Sequence, residues 1–169
     1  MTLRNINSIV ASLSPYKPGK PIEELSRELG LTDIVKLASN ENPLGASVQV
    51  KAALVSAVDE LTRYPDGSGF ALKKALAEKL RVELHQITLG NGSNDVLDLI
   101  ARATIEGDSE GIISEHSFVV YGLSIKYAGG RTVVVPALNY GCDLRAMSLA
   151  VTDKTRVIYI ANPNNPTGT

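Results

Sequence analysis

Three short segments carry residues whose types and spacing could do chemistry. The first is Gly90-Asn91-Gly92-Ser93-Asn94-Asp95, which falls between an apolar run and a helical pattern. Its glycines permit a tight turn, and Ser93 or Asn94 could cap the helix that follows. Backbone N–H groups at such a helix start also suit a phosphate. The second is Ser117-Phe118, at the opening of the next helical pattern. An aromatic there could stack on a planar ligand held by the first loop, or it could be core, like most of the chain's eight Phe and Tyr. The third is Asn162-Pro163-Asn164-Asn165-Pro166-Thr167-Gly168. Two prolines stiffen that loop, and between them two amides project as donors toward a ligand oxygen.

The first loop also admits a dinucleotide reading. Gly90-x-Gly92 matches two glycines of that fingerprint, and Glu115 lies some distance on at the end of the next strand. Asp95 stands where the third glycine belongs, and a carboxylate there fits poorly.

These loops need elements to aim them. Pro21 opens a helix from Ile22 to Leu29, and Gly30 closes it. Ile34 to Ala38 reads as a short strand. Helices are expected over 47–61 and from Phe70 to about Val82, with Arg63-Tyr64-Pro65-Asp66-Gly67 as the turn between them. Strands at 87–89, 111–114, 132–135 and 156–161 then alternate with helices at 94–104, 118–128 and 144–150. Such alternation predicts an α/β fold, a mainly parallel sheet flanked by helices. Ligands of parallel sheets sit at the carboxyl ends of the strands, where the first and third loops fall. The last strand has no following helix to cover it, so the C-terminus reads as a truncation. The expected organisation is an N-terminal arm with part of a small domain over 1–45, then part of a larger domain over 46–169.

Composition excludes several classes. Seventeen basic and eighteen acidic side chains leave a net charge of −1, which offers no footprint for nucleic acid or an anionic membrane. Cys142 is the single cysteine, so no intrachain disulfide or multi-cysteine metal site can form, and it reads as a small half-buried residue. His85 and His116 are far apart without local partner ligands, and no metal is expected. The apolar patch near Ile9 to Leu13 is too short for a signal-peptide core, and no run could span a bilayer, which predicts a cytoplasmic location.

The third loop closely resembles the Asn-Pro-x-Asn-Pro-Thr-Gly motif of fold-type I aminotransferases dependent on pyridoxal 5′-phosphate (PLP). Arg63-Tyr64-Pro65-Asp66, Gly90 to Asn94 and Ser117-Phe118 precede it at family-like intervals. Leu13-Ser14-Pro15-Tyr16 and Leu37-Ala38-Ser39-Asn40-Glu41-Asn42-Pro43 narrow the resemblance to the histidinol-phosphate aminotransferases. The resemblance implies a homodimer that exchanges an amino group between L-histidinol phosphate and 2-oxoglutarate in histidine biosynthesis. It implies that Ser93 and Asn94 hold the PLP phosphate, Phe118 stacks on the ring, and Asn165 donates to the phenolic oxygen. Tyr64 would reach the phosphate of the neighbouring subunit, and Tyr16 and Asn40 would line the substrate side. None of the chain's lysines matches the family's catalytic motif, so the segment is expected to be inactive alone. Aromatic-amino-acid aminotransferases and threonine-phosphate decarboxylases share the fold and are rival readings, as is a non-catalytic binding fragment.

Overall fold

The structure is a computed structural model, and it describes residues 7–14 and 19–169. The chain divides into two compact units, one of residues 1–14 with 85–169 and one of residues 15–84.

The unit of residues 15–84 is helical. Helix α2 spans Ile22–Leu29 and stops at Gly30, whose φ of 66° an L side chain would resist. Helix α3, Val48–Ala57, is capped by the Ser47 hydroxyl, which accepts from the Val50 N–H, and it tightens into a 3-10 turn over Val58–Glu60. Helix α4, Phe70–Leu80, is started by Asp66, whose carboxylate accepts from the N–H groups of Ser68 and Phe70 and from the Ser68 hydroxyl. Those three donors, the Ser68 N–H foremost, hold the Asp66 carboxyl below its usual range.

Ile34 to Ala38 is not a strand in this unit. A strand exists only through a partner ladder, and no described residue pairs with this run. The same reason removes the strand expected at Ile87 to Leu89: alternate residues there are half-buried, yet no ladder forms among the described residues.

The second unit holds α1 (Ser8–Ala11), a short helix the sequence reading missed, and then the parallel sheet. Strands β1 (Glu110–Ser114), β2 (Arg131–Val135) and β3 (Thr155–Tyr159) pair in the order β2-β1-β3, both pairs parallel. Helices α5 (Ser93–Thr104) and α6 (Val119–Tyr127) pack on one face and α7 (Leu144–Leu149) on the other. Strand alternation explains the split. Gly111 and Ile113 of β1 face α6, against Ile125 and Gly122, while Ile112 packs with Val135 and Met147 of α7. Cys142 is half-buried beside that cluster, as expected. β3 ends at Tyr159, two residues short of the expected Ala161, and hands the chain early to the proline-rich loop.

At the amino ends of the strands sits a buried carboxylate. Glu110 accepts from the Thr152 hydroxyl at 2.6 Å and the Thr155 hydroxyl at 3.3 Å, and pairs with Arg131. The Thr152 bond, then the Arg131 charge, lowers its pKa against the opposing effect of burial. This cluster ties β1, β2 and the β3 entry together at the end away from the candidate site.

Candidate functional site

Helix α5 begins at Ser93, and its N-cap is Gly92, which has no side chain to cap with. The capping role expected of Ser93 or Asn94 is therefore not observed. Both residues lie inside the first turn, and no hydrogen bond within the described residues takes up their backbone N–H groups. The loop is shaped instead by Asp95, whose carboxylate accepts from the Asn91 N–H at 2.9 Å. The residue that spoils the dinucleotide pattern is thus the one that folds the loop back. Two glycines make this possible. A Cβ on Gly90 would stand 2.8 Å from the Asp95 Cβ, and Gly92 adopts φ 91°, ψ 171°, a region essentially closed to other residues. The result is a helix start with aimed donors and no side chain in front of them, which suits a phosphate.

Phe118 is the N-cap of α6 and is half-buried. Its ring lies 5.8 Å from that of Tyr121, at 88° to it. Tyr121 in turn stacks on Tyr159, with centroids 5.0 Å apart and planes 11° from parallel. The Tyr159 hydroxyl donates to the Leu97 carbonyl of α5 at 2.8 Å. Three aromatic rings therefore connect Phe118 to the first turns of α5. Burial, with the Asp98 carboxylate adding to it, raises the Tyr159 phenol above its ordinary pKa and keeps it a donor. Burial raises Tyr121 likewise. Most aromatics are not core: Tyr159 alone is buried among the described ones, while Phe70, Tyr127 and Tyr140 are exposed.

In the loop after β3 the two central amides differ. Asn164 is 3% exposed and turned inward, contrary to the expectation that both amides project. Its Nδ2 donates to the Thr167 hydroxyl at 2.8 Å, the His116 carbonyl at 3.2 Å and the Tyr140 carbonyl at 3.3 Å. Asn165 is half-buried, and no hydrogen bond within the described residues engages its side chain. One amide is engaged in structure and the other is not. Sequence could not tell them apart, because both are Asn beside a proline.

The four residues Ser93, Asn94, Phe118 and Asn165 therefore lie at one end of one unit, joined by the Tyr159–Leu97 and Asn164–His116 bonds. Tyr64 and Asn40 belong to the other unit. Tyr64 is fully exposed, and Asn40 is exposed with φ 51°. Tyr16 lies outside the described residues. The reading from sequence missed Tyr121, Tyr159 and His116. A signal for the last was its place directly between a strand end and Ser117-Phe118.

The donor set fits PLP: N–H groups at a helix start for a phosphate, a half-buried aromatic ring for a flat heterocycle, and an unengaged amide for a phenolic oxygen. No group of His, Cys, Asp and Glu that could hold a metal occurs among the described residues. No helix among them is long and apolar enough to cross a membrane.

The family pattern described as aminotransferase class I and II matches residues 32–169. The chain is 60% identical over 162 residues to histidinol-phosphate aminotransferase 2 of Pseudomonas fluorescens (strain Pf0-1), covering 95% of this chain and 44% of that protein. It is 56% identical over 167 residues to histidinol-phosphate aminotransferase 1 of Idiomarina loihiensis, covering 99% and 46%. Its fold is similar to the crystal structure of histidinol-phosphate aminotransferase from Sinorhizobium meliloti in complex with pyridoxal-5′-phosphate, with a TM-score of 0.87 at 27% identity, covering 99% of this chain and 45% of that one. The chain thus spans less than half the length of the relatives it matches.

Proposed function

This chain belongs to the class I and II aminotransferase family, and on that premise we propose that it builds the phosphate and ring contacts of a PLP-dependent transaminase acting on L-histidinol phosphate and 2-oxoglutarate. The observation that carries the reading is the pairing of an uncapped α5 start with an unengaged Asn165 amide at the same end of the sheet. When bound, PLP supplies an electron sink for the carbon whose proton is removed.

The chain's own residues bind and orient. The N–H groups of Ser93 and Asn94 donate to phosphate oxygens, helped by the positive end of α5. Phe118 limits the cofactor's ring on one side. The Asn165 Nδ2 donates to the phenolic oxygen and favours its ionised form. Burial of Tyr159 and Tyr121 keeps water from the space behind Phe118. Tyr64 is proposed to donate to the phosphate held by a second copy in a homodimer, and Tyr16 and Asn40 to line the substrate side. None of the chain's nine lysines falls in the loops that form the site. The cytoplasm is the proposed location, and residues 1–45 and 46–169 are the proposed division between arm with small-domain part and larger domain.

Amino transfer to 2-oxoglutarate by the complete protein, measured with histidinol phosphate, an aromatic amino acid and threonine phosphate in parallel, tests the substrate. A kcat/KM highest for histidinol phosphate is expected. A preference for the aromatic amino acid, or release of carbon dioxide from threonine phosphate, overturns it in favour of that rival.

A further inference from the structure

The buried Asn164 side chain is a centre of hydrogen bonding at this end of the sheet. Its amide reaches three acceptors on three segments, and its own backbone is closed as well. The Asn164 N–H donates to the Thr169 carbonyl at 2.8 Å, and its carbonyl accepts from the Gly168 N–H at 2.7 Å. The Oδ1 has no partner among the described residues, so the three acceptors alone fix which way the amide faces.

Those acceptors belong to backbone held in unusual shapes. His116 has φ 57°, and its carbonyl precedes Phe118 by two residues. Asn139 and Tyr140, with φ 51° and 62°, form the tight turn that bridges Leu138 to Gly141. The Tyr140 carbonyl also accepts from the hydroxyls of Thr167 and Thr169, at 2.8 Å and 2.9 Å. Asn164 therefore locks the segment carrying Asn165 to the segment carrying Phe118, with the 138–141 turn as a shared abutment.

We propose that Asn164 is a positioning residue that sets the Asn165 amide relative to the Phe118 ring, an inference that rests on the reading that Asn165 donates to the cofactor's phenolic oxygen. Asn164 touches neither cofactor nor substrate in this scheme. It acts through its neighbour, so loss of Asn164 misplaces the Asn165 donor even though Asn165 is intact.

The test uses the complete protein and its Asn164→Ala, Asn165→Ala and doubly substituted forms. Amide hydrogen exchange over 115–118 and 138–141 is followed without cofactor. The pH midpoint of the visible absorption is followed after adding PLP. In Asn164→Ala, exchange in both segments should rise by about tenfold, the scale of one lost hydrogen bond. Its spectral midpoint should move in the same direction as that of Asn165→Ala. The double form should move no further than Asn165→Ala alone, because the two act through one contact. A wild-type midpoint in Asn164→Ala, beside a moved one in Asn165→Ala, overturns the positioning role and leaves the Asn165 contact standing. An unmoved midpoint in Asn165→Ala overturns that contact and this proposal with it. Should Asn164→Ala not fold, Asn164→Ser, which keeps one shorter donor, is measured in the same way.

Discussion

Tyr159 stacks on Tyr121 with ring planes 11° from parallel, and the same Tyr159 hydroxyl holds the Leu97 carbonyl of α5. One residue at the end of β3 thus fixes both the helix start that suits a phosphate and the ring that backs Phe118. Removing only the hydroxyl separates these duties. Tyr159→Phe should cost ~0.5–1.5 kcal/mol of stability, one neutral hydrogen bond, with stacking intact. Tyr159→Ala should cost ~3–5 kcal/mol, the range for deleting a buried aromatic. Urea unfolding of both variants checks the ladder, and equal losses would contradict the separate roles.

Gly92 holds φ 91°, ψ 171° immediately before Ser93. Gly92→Ala should destabilise by ~1–3 kcal/mol, the usual strain of that backbone region. It should also weaken PLP binding beyond what the stability loss explains, because the first-turn N–H groups would tilt. Cofactor titration beside urea unfolding of the cofactor-free protein separates the two effects.

The buried Glu110 carboxylate gives a pH dependence of defined sign. Its folded pKa lies below its ordinary value of 4.5, through the Thr152 hydroxyl first and Arg131 after it. The stabilisation is therefore full above the unfolded value and is lost as pH falls through the folded one. Unfolding midpoints of the wild type should drop on acidification below about 4.5. Glu110→Gln should be less stable at neutral pH and flatter over the acid range. Thr152→Val, which removes the leading donor to a charged group, should cost ~1.5–3 kcal/mol at neutral pH. An acid profile unchanged in Glu110→Gln would assign the dependence to other carboxylates.

Tyr64 is fully exposed, and no described hydrogen bond involves it. Tyr64→Phe should therefore leave stability within ~0.5 kcal/mol, as for ordinary surface changes. The proposed bond to a phosphate predicts PLP binding weaker by ~1.5–3 kcal/mol. Unchanged PLP affinity would make Tyr64 a plain surface residue.

Helix α2 was legible to the residue, because Pro21 and Gly30 mark its ends by backbone chemistry that needs no neighbour. The three paired strands were legible within a residue or two, since apolar runs between helical patterns have few alternatives. Ile34 to Ala38 and Ile87 to Leu89 were not, because a strand is a relation between two segments and sequence names only one. The site divides in the same way. Glycine-rich loop, aromatic and proline-bounded amides stood out by type. That Gly92 caps α5 without a side chain, or that Asn164 turns inward while Asn165 does not, depends on contacts with residues far along the chain.

The strand order β2-β1-β3 gives the molecule a temporal asymmetry. β1 and β2 are joined through α6 alone and can pair early, from contacts close in sequence. β3 must return across β1 to its other edge, and the Asn164–His116 bond closes a span of 48 residues. Such distant closures are the slow part of folding. Docking of β3 is therefore the step expected to come last in this unit, and it closes both ends of the sheet, through Glu110 at one and Asn164 at the other. A chain caught before β3 docks would carry α5, Phe118 and two of the three paired strands, and would lack the bonds from Tyr159 to Leu97 and from Asn164 to His116.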